Sequence, residues 1–228
     1  MDRDKIWYLK KFNLLQTMNE EEMESMSESV LEDEVKKKQP IYLQGDPSET
    51  LYFLKKGIVK LSRLDESGKE ITLTLLEPGE VFGELGIFDD SPRETTAVAL
   101  EDCLICAMRR GDFEKLMEKK SDISFKLSKL MGLRLRQIES RIQELMFRDV
   151  PSRLANLLLR LADKHPREMK KGLRINIKLS QQELANLIGA TREMTSSVLN
   201  IFKRNGWIDI ESKYIYIINR SQLEKTAS

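Results

Sequence analysis

The residues best suited to recognise a partner chemically lie together near the C-terminus. Arg192 and Glu193 directly follow Thr191, and Ser196 and Ser197 come about one helical turn later. Arginine can donate two hydrogen bonds to the edge of guanine, and glutamate can accept one from the amino group of cytosine. The segment therefore predicts a helix that enters the major groove of double-stranded DNA and reads base edges through Arg192, Glu193, Ser196 and Ser197.

Two helices joined by a tight turn are predicted to position these side chains. Ser180 and Glu183 have the spacing of a capping box, in which each side chain bonds the backbone N–H of the other residue. Gly189 supplies the sharp turn after the first helix. Thr191 is the expected N-cap of the second helix, which we expect over 192–204. This order of elements is that of a helix-turn-helix.

A small hairpin is predicted after the second helix. The apolar runs Trp207–Ile210 and Tyr214–Ile218 flank Ser212-Lys213 and would pair as two strands, the wing of a winged helix-turn-helix. Polar and basic side chains around the motif predict contacts with phosphates, which set the register of a protein on DNA rather than its sequence preference. These residues are Lys178, Ser180, Gln182, Thr191, Lys203 and Lys213.

Charge is unevenly distributed along the 228 residues. Positions 1–148 carry 24 Lys and Arg against 29 Asp and Glu, a net charge of −5, whereas positions 149–228 carry 14 against 8, a net charge of +6. A basic segment behind an acidic one is typical of a nucleic-acid-binding domain joined to a domain of another kind. A chance partition of charge would give the same numbers, so the asymmetry only supports the motif.

The middle of the chain, from Pro40 to Arg109, changes to short β-rich runs separated by turn residues. Strands this short and regularly spaced predict a compact β-barrel or a double-sheet roll of the jelly-roll type rather than βαβ units. Before them, residues 5–35 place apolar side chains at helical spacing and predict short helices. The fold class is therefore α+β. The β-rich runs are Pro40–Leu43, Leu51–Lys55, Ile58–Leu64, Ile71–Leu76, Val81–Phe82, Thr96–Ala99 and Cys103–Met108.

A long helix is predicted from Ile123 to Phe147, because this segment has no proline and repeats apolar residues every three or four positions. From the pattern alone, the apolar seam either packs against the β-rich part of its own chain or forms a coiled coil with a second copy, and the two are compatible. Pro151 favours the start of the next helix, which runs to about Lys164. The seam consists of Leu127, Met131, Leu135, Ile138, Ile142 and Leu145.

Several function classes lack support in the sequence. It contains no P-loop, nucleophile elbow or metal-ligand pattern, and it has a single histidine, so we predict no enzymatic activity, no metal and no cofactor. Cys103 and Cys106 are too few for a disulfide framework, and period two along a strand directs them to opposite faces. No apolar run could span a bilayer, which favours a cytoplasmic protein without a membrane partner.

Further motifs give the chain a resemblance to the Crp/Fnr family of bacterial transcription regulators. Residues 81–88, Val-Phe-Gly-Glu-Leu-Gly-Ile-Phe, followed by Pro92-Arg93, resemble the phosphate-binding cassette of the family's cyclic-nucleotide-type β-roll. Residues 147–154 resemble its hinge, and residues 190–193, Ala-Thr-Arg-Glu, resemble the start of its recognition helix. The resemblance covers nearly the whole chain.

The resemblance implies three segments, namely a β-roll sensor domain with N-terminal helices at 1–121, a dimerisation helix at 122–148 and a winged helix-turn-helix at 149–228. It implies a homodimer that reads two half-sites of a palindrome about one helical turn apart. It also implies activation through RNA polymerase, for which the loop Asp163–Gly172 is a candidate contact. A small-molecule effector would occupy a pocket formed by Gly83, Glu84, Leu85, Arg93 and Thr95.

The chain departs from the family pattern at three places. Cyclic-AMP-binding members end the cassette in Arg-Ser or Arg-Thr, whereas Arg93 is followed here by Glu94, which would repel a phosphodiester unless it points away. The family's purine contacts would fall near Ile138 and Glu139, and Ile138 offers no hydrogen bond. We therefore predict that the effector is not cyclic AMP but either an unidentified small molecule or absent altogether. The alternative is a cyclic-AMP-responsive regulator that uses the cassette at 83–95. Ser197 replaces a third base-reading arginine, which relaxes the site at one base pair.

Overall fold

The computed structural model describes residues 12–15 and 18–227 of the chain. The chain divides into two compact units, one up to Leu135 and one from Arg136 onwards. This boundary falls inside the long helix, whereas the sequence prediction treats 122–148 as a segment of its own. The helical positions predicted before residue 12 lie outside the described residues.

The described part of the first unit contains two antiparallel four-stranded sheets. Their strands are β1 Val30–Val35, β2 Pro40–Tyr42, β3 Thr50–Lys56, β4 Val59–Leu64, β5 Glu70–Leu76, β6 Val81–Phe82, β7 Thr96–Ala99 and β8 Cys103–Arg109. The strand orders are β1-β8-β3-β6 and β2-β7-β4-β5. Strands β2 to β8 match the predicted runs to within one residue at each end, and the β-roll and the α+β class are confirmed.

Strand β1 differs from the prediction, which places its residues in a helix. Only Val30 and Val35 of its six side chains are buried, so the strand shows no alternation of apolar and polar residues. Its conformation is decided by tertiary pairing, since all six residues pair with β8 along the edge of the sheet. The helical prediction is confirmed just before it, where helix α1 runs over Glu20–Glu28.

Two apolar cores fill the first unit, and strand β8 contributes to both. Cys106 belongs to the core that also contains Ile123 and Leu127, whereas Cys103 belongs to the other. Both cysteines are free and buried. The prediction that they face opposite sides of their strand is therefore confirmed.

Helices connect the β-roll to the second unit. Helix α2 spans Arg110–Lys119, and the long helix α3 spans Ser121–Phe147. The first turns of α3 pack on the β-roll through Ile123 and Leu127. None of the described helices is both long enough and apolar enough to cross a membrane.

The second unit combines four further helices with a small sheet. The elements are α4 Val150–Lys164, β9 Pro166–Met169, β10 Gly172–Ile175, α5 Gln181–Ile188, α6 Arg192–Arg204, β11 Ile208–Glu211, β12 Tyr214–Ile217 and α7 Arg220–Ala227. The sheet order is β11-β12-β10-β9.

The segment Asp163–Gly172, predicted from the sequence to be a loop, is a loop only in part, because Asp163 and Lys164 end α4 and the rest contains a strand. That remainder forms β9 and the turn into β10, and β10 in turn pairs with β12. All four side chains of β9 are exposed, as expected for an edge strand, so the segment has no apolar pattern that would indicate a strand. Pairing with β10, the next strand along the chain, gives β9 its conformation, and β10 joins this hairpin to β12.

Candidate nucleic-acid interface and effector pocket

The turn between α5 and α6 has the local geometry that the sequence predicts. The Ser180 hydroxyl accepts a hydrogen bond from the Glu183 backbone N–H at 3.2 Å, and the Glu183 carboxylate accepts one from the Ser180 N–H at 2.5 Å. Gly189 ends α5 in the left-handed region, with φ of +63°. The Thr191 hydroxyl then accepts from the Met194 N–H at 3.2 Å and so caps α6.

Helix α6 turns one face to the core and the other to solvent. Val198, Leu199 and Phe202 are buried on the inner face. On the outer face Arg192, Glu193 and Ser197 are exposed, whereas Ser196 is half-buried. The first turn of α6 therefore presents a charged pair to solvent, at the end of the helix that would enter a groove.

The wing follows α6 as a two-stranded hairpin of β11 and β12. Its tip, Ser212-Lys213, has φ values of +49° and +69°, the sign that a type I′ turn requires at both central residues. The Lys178 ammonium nitrogen lies 4.9 Å from the centre of the Tyr214 ring, and the Arg174 guanidinium carbon lies 4.1 Å from it. The sequence prediction missed Arg174, because only the pairing of β10 with β12 brings it to the wing.

A cleft of about 400 Å³ lies between the helix-turn-helix and the wing. It brings together the predicted contact residues Ser180, Gln182, Arg192 and Lys213. Lys203 is not among its lining residues. The cleft thus joins the arginine predicted to read bases, Arg192, to three of the six predicted phosphate contacts.

Lys203 is engaged within the protein. Its ammonium group lies 3.0 Å from the carboxylate of Asp209, which also binds Lys171. Hydrogen bonds from Lys171 and then from Lys203 hold the pKa of Asp209 well below its ordinary value. Part of the positive charge of Lys203 is therefore compensated inside the wing.

In the β-roll, the cassette begins directly after β6 with a left-handed glycine. Gly83 has φ of +76°, and a Cβ there would lie 2.8 Å from the Arg93 guanidinium and 2.9 Å from the Thr50 carbonyl. Glu84 opens a 3₁₀ turn and is only 2% exposed. Leu85 is 55% exposed to solvent.

Arg93 is buried in the centre of the cassette. Its Nη1 donates to the Gly83 carbonyl at 2.8 Å and its Nη2 donates to the Thr50 carbonyl. The guanidinium carbon lies 4.5 Å from the centre of the Tyr42 ring, and Thr95 approaches the Tyr42 hydroxyl at 3.4 Å. Burial raises the pKa of Tyr42 above its ordinary value.

The long helix α3 supplies a partner for the cassette that the sequence prediction missed. Arg134 donates to the Glu84 carboxylate and to the Val81 carbonyl. The signal that could have revealed it is spacing, because Arg134 precedes Ile138 by four residues and so shares a helix face with it. Ile138 is the position where the resemblance places a ligand contact.

Glu94 does not face the cassette. Its side chain is exposed and lies 3.6 Å from the guanidinium of Arg63. Glu94 is predicted from the sequence to repel a phosphodiester unless its side chain points away, and here the side chain is turned to solvent. The predicted electrostatic objection to cyclic AMP does not hold at this residue.

The predicted dimer seam divides along α3. Leu127 is 2% exposed in the core of its own unit, so it cannot lie in an interface between copies and is withdrawn from the seam. Leu135, Ile138 and Ile142 are each more than half exposed. Met131 and Leu145 are half-buried. The intramolecular interpretation therefore holds at the start of α3, whereas contact with a second copy beyond Leu135 stays a prediction.

Known proteins share this arrangement of domains. Family models match residues 32–120 as a cyclic nucleotide-binding domain and residues 152–226 as a Crp-like helix-turn-helix domain. The chain is 34% identical over 187 residues to the CRP-like cAMP-activated global transcriptional regulator of Mycobacterium tuberculosis, which covers 82% of this chain and 84% of that protein. It is 36% identical over 181 residues to the global nitrogen regulator of Synechocystis, covering 78% and 80%.

Solved structures agree with these matches. A CooA mutant from Carboxydothermus hydrogenoformans aligns with a TM-score of 0.76 at 25% identity, over 96% of this chain and 98% of that one. A CRP-family regulator from Thermus thermophilus aligns with a TM-score of 0.72 at 27% identity, over 86% and 96%. The two matched domains span well over half of the sequence. The chain belongs to the Crp/Fnr family of DNA-binding transcription regulators.

Proposed function

We propose that the protein is a cytoplasmic homodimer that binds a palindromic DNA site and activates transcription by contacting RNA polymerase. The observation that supports sequence-specific DNA binding is the exposed first turn of α6, which presents Arg192 and Glu193 to solvent. Arg192 also lines a cleft together with Lys213. Arg192 and Glu193 would read the base pairs, with Ser196 beside them. Ser197 is exposed but short, so the base pair opposite it is weakly specified.

Dimerisation is supported by the middle of α3. Leu135, Ile138 and Ile142 recur at intervals of three and four residues and are exposed on a continuous helix. This is the spacing of a coiled-coil seam, and such side chains lose contact with water when two helices pair. A dimer would present two copies of α6 to two half-sites.

We infer that DNA binding does not depend on cyclic AMP. The support is the state of Arg93, which the family resemblance assigns to the ligand phosphate. Both of its terminal nitrogens donate to backbone carbonyls, and its side chain is 6% exposed. These bonds use two of the five guanidinium N–H groups to fix the cassette, so a phosphate could bind only through the N–H groups that remain on a side chain already buried against the backbone.

A cyclic-AMP-responsive regulator is the second candidate, and one observation favours it. Glu84 Oε2 and Arg93 Nε are buried polar atoms without a hydrogen-bond partner among the described residues. Such atoms are rare in folded proteins and are typical of sites completed by a ligand or by water. A ligand hydroxyl beside Glu84 could donate the missing hydrogen bond.

One experiment tests the DNA-binding part of the proposal together with its independence from cyclic AMP. The full-length protein is used to select DNA from a random pool, once without ligand and once with cyclic AMP. We expect the same palindrome in both selections, and calorimetric titration with cyclic AMP should show no micromolar binding. A palindrome recovered only with cyclic AMP would support the second candidate, whereas no enriched sequence under either condition would contradict sequence-specific binding.

A further inference from the structure

The last two turns of the long helix are attached to the helix-turn-helix by a charged contact. Arg141 Nη2 donates to the Leu187 carbonyl at 2.9 Å. Leu187 lies in the last turn of α5, where backbone carbonyls lack donors within the helix and the helix dipole favours a positive charge. Arg141, which lies outside the helix-turn-helix, thus caps the C-terminal end of α5, the first helix of that motif.

An apolar contact lies next to this cap. A Cβ built on Gly189 would fall 2.8 Å from Cδ2 of Leu145, so the Leu145 side chain lies flush against the turn between α5 and α6. Arg141 and Leu145 are four residues apart and so lie on one face of α3. One face of α3 therefore contacts both the end of α5 and the turn that follows it.

Further side chains fix the end of α3 in the second unit. Arg153, on α4, donates to the carbonyls of Leu145 at 3.4 Å and Arg148 at 3.0 Å. Arg160, also on α4, lies 2.5 Å from the carboxylate of Glu144. Arg148 in turn donates to the Ala227 carbonyl at the end of α7. With its last two turns held by α4, α5 and the turn, this end of α3 has little freedom to change its angle to α6.

We propose that Arg141 and Leu145 are positioning residues that set the angle between the dimer seam and each recognition helix, and so fix the spacing between half-sites. Arg141 directly precedes Ile142 of the exposed seam, so both lie in one helical turn. An angle fixed at that turn determines how far apart two copies of α6 stand in a dimer. The inference rests on the proposed homodimer.

The test measures how strictly the spacing between half-sites is required. The full-length protein and the variant Arg141→Met, which keeps the aliphatic stem but lacks the donors, are titrated against the selected palindrome and against versions with one base pair added or removed. Arg136→Met is the matched control, because Arg136 is an exposed arginine on the same helix. For the wild type and this control we expect at least about tenfold weaker binding to the altered spacings, since dimers require a set separation of half-sites.

Arg141→Met should reduce that penalty to about threefold or less, while a single half-site is bound as tightly as by the wild type. Leu145→Ala, which leaves the charge unchanged, should relax the spacing in the same direction. An unchanged spacing penalty in both variants would overturn the proposal. So would equal weakening at every spacing together with a salt slope reduced by about one, because that result identifies Arg141 as a phosphate contact. A wild type that selects no palindrome would instead contradict the proposed function.

Discussion

Replacing Gly189 by alanine tests the contact between α3 and the turn of the helix-turn-helix, because the substitution should change the free energy of unfolding. Gly189 has φ of +63°, and the left-handed region costs an L-residue about 1–2 kcal/mol. The new Cβ would also lie 2.8 Å from Leu145 Cδ2, a distance that real Cβ contacts do not show, so the Leu145 side chain must move. We therefore expect Gly189→Ala to lower the free energy of unfolding of the second unit by about 2–3 kcal/mol, the upper part coming from this overlap.

The measurement follows Trp207, whose ring centre packs 5.2 Å from that of Phe202 in the second unit. Because the chain has two tryptophans, urea unfolding is recorded in a Trp7→Phe background so that the fluorescence reports on Trp207 alone. With an m-value of about 1.5 kcal/mol per molar urea, the midpoint should fall by about 1.3–2 M.

A double-mutant cycle separates the two contributions. Leu145→Ala removes the atoms that overlap, so Gly189→Ala should cost only about 1–2 kcal/mol in that background, the part due to φ. Additive effects of the two substitutions would refute the contact between α3 and the turn. A loss of less than about 0.5 kcal/mol for Gly189→Ala alone would refute the strain at this residue.

Three further predictions concern the wing and the proposed contacts. Arg192→Ala should reduce discrimination at one base pair by about 1–3 kcal/mol, roughly 5- to 150-fold in competition binding; Lys203→Ala should weaken all sequences alike, and only slightly, because Asp209 already compensates Lys203. The stabilising effect of the Asp209 carboxylate should be complete above its ordinary pKa of 3.8 and be lost as the pH falls through its lowered pKa in the folded protein. Urea midpoints measured through Trp207 should therefore fall less with acid in Asp209→Asn than in the wild type. Lys170→Glu should reduce transcription in vitro without changing DNA affinity, and unchanged transcription would contradict the polymerase contact; Lys171 is unsuitable for this test because it binds Asp209 and Glu211.

The parts of the site that could be predicted are those whose physics is local. The capping box of Ser180 and Glu183, the left-handed Gly189 and the cap at Thr191 each depend on residues within four positions of one another. Because these signals act over single turns, one sequence suffices to place α5, α6 and the turn between them. The β-roll strands were accessible for a similar reason, since turn residues bound each run.

The missed features depend on partners distant in sequence. Strand β1 has mostly exposed side chains, and its conformation comes from pairing with the distant strand β8. Strand β9 is an exception, because its partner β10 is close in sequence and it was missed only because its four exposed side chains form no apolar pattern. Arg134 meets Glu84 across 50 positions, and Arg141 meets Leu187 across 46. An arginine on a helix surface is commonly solvated, so nothing in the local sequence distinguishes Arg141 from its exposed neighbour Arg136. For Arg134, the only signal is its four-residue spacing from Ile138.

Helical geometry shows how α3 can serve an interface without giving up these contacts. Arg134 and Arg141 are seven residues apart and so lie within about 20° of each other around the helix, at about 100° per residue. The centre of the exposed seam formed by Leu135, Ile138 and Ile142 lies about 80° from that stripe by the same geometry. A second helix packed on the seam would therefore cover a neighbouring face and leave both arginines on their carbonyl and carboxylate partners. The helix face that carries Arg134 and Arg141 is thus compatible with the proposed dimer. The two neighbouring faces explain why half-buried arginines and exposed apolar side chains alternate along α3.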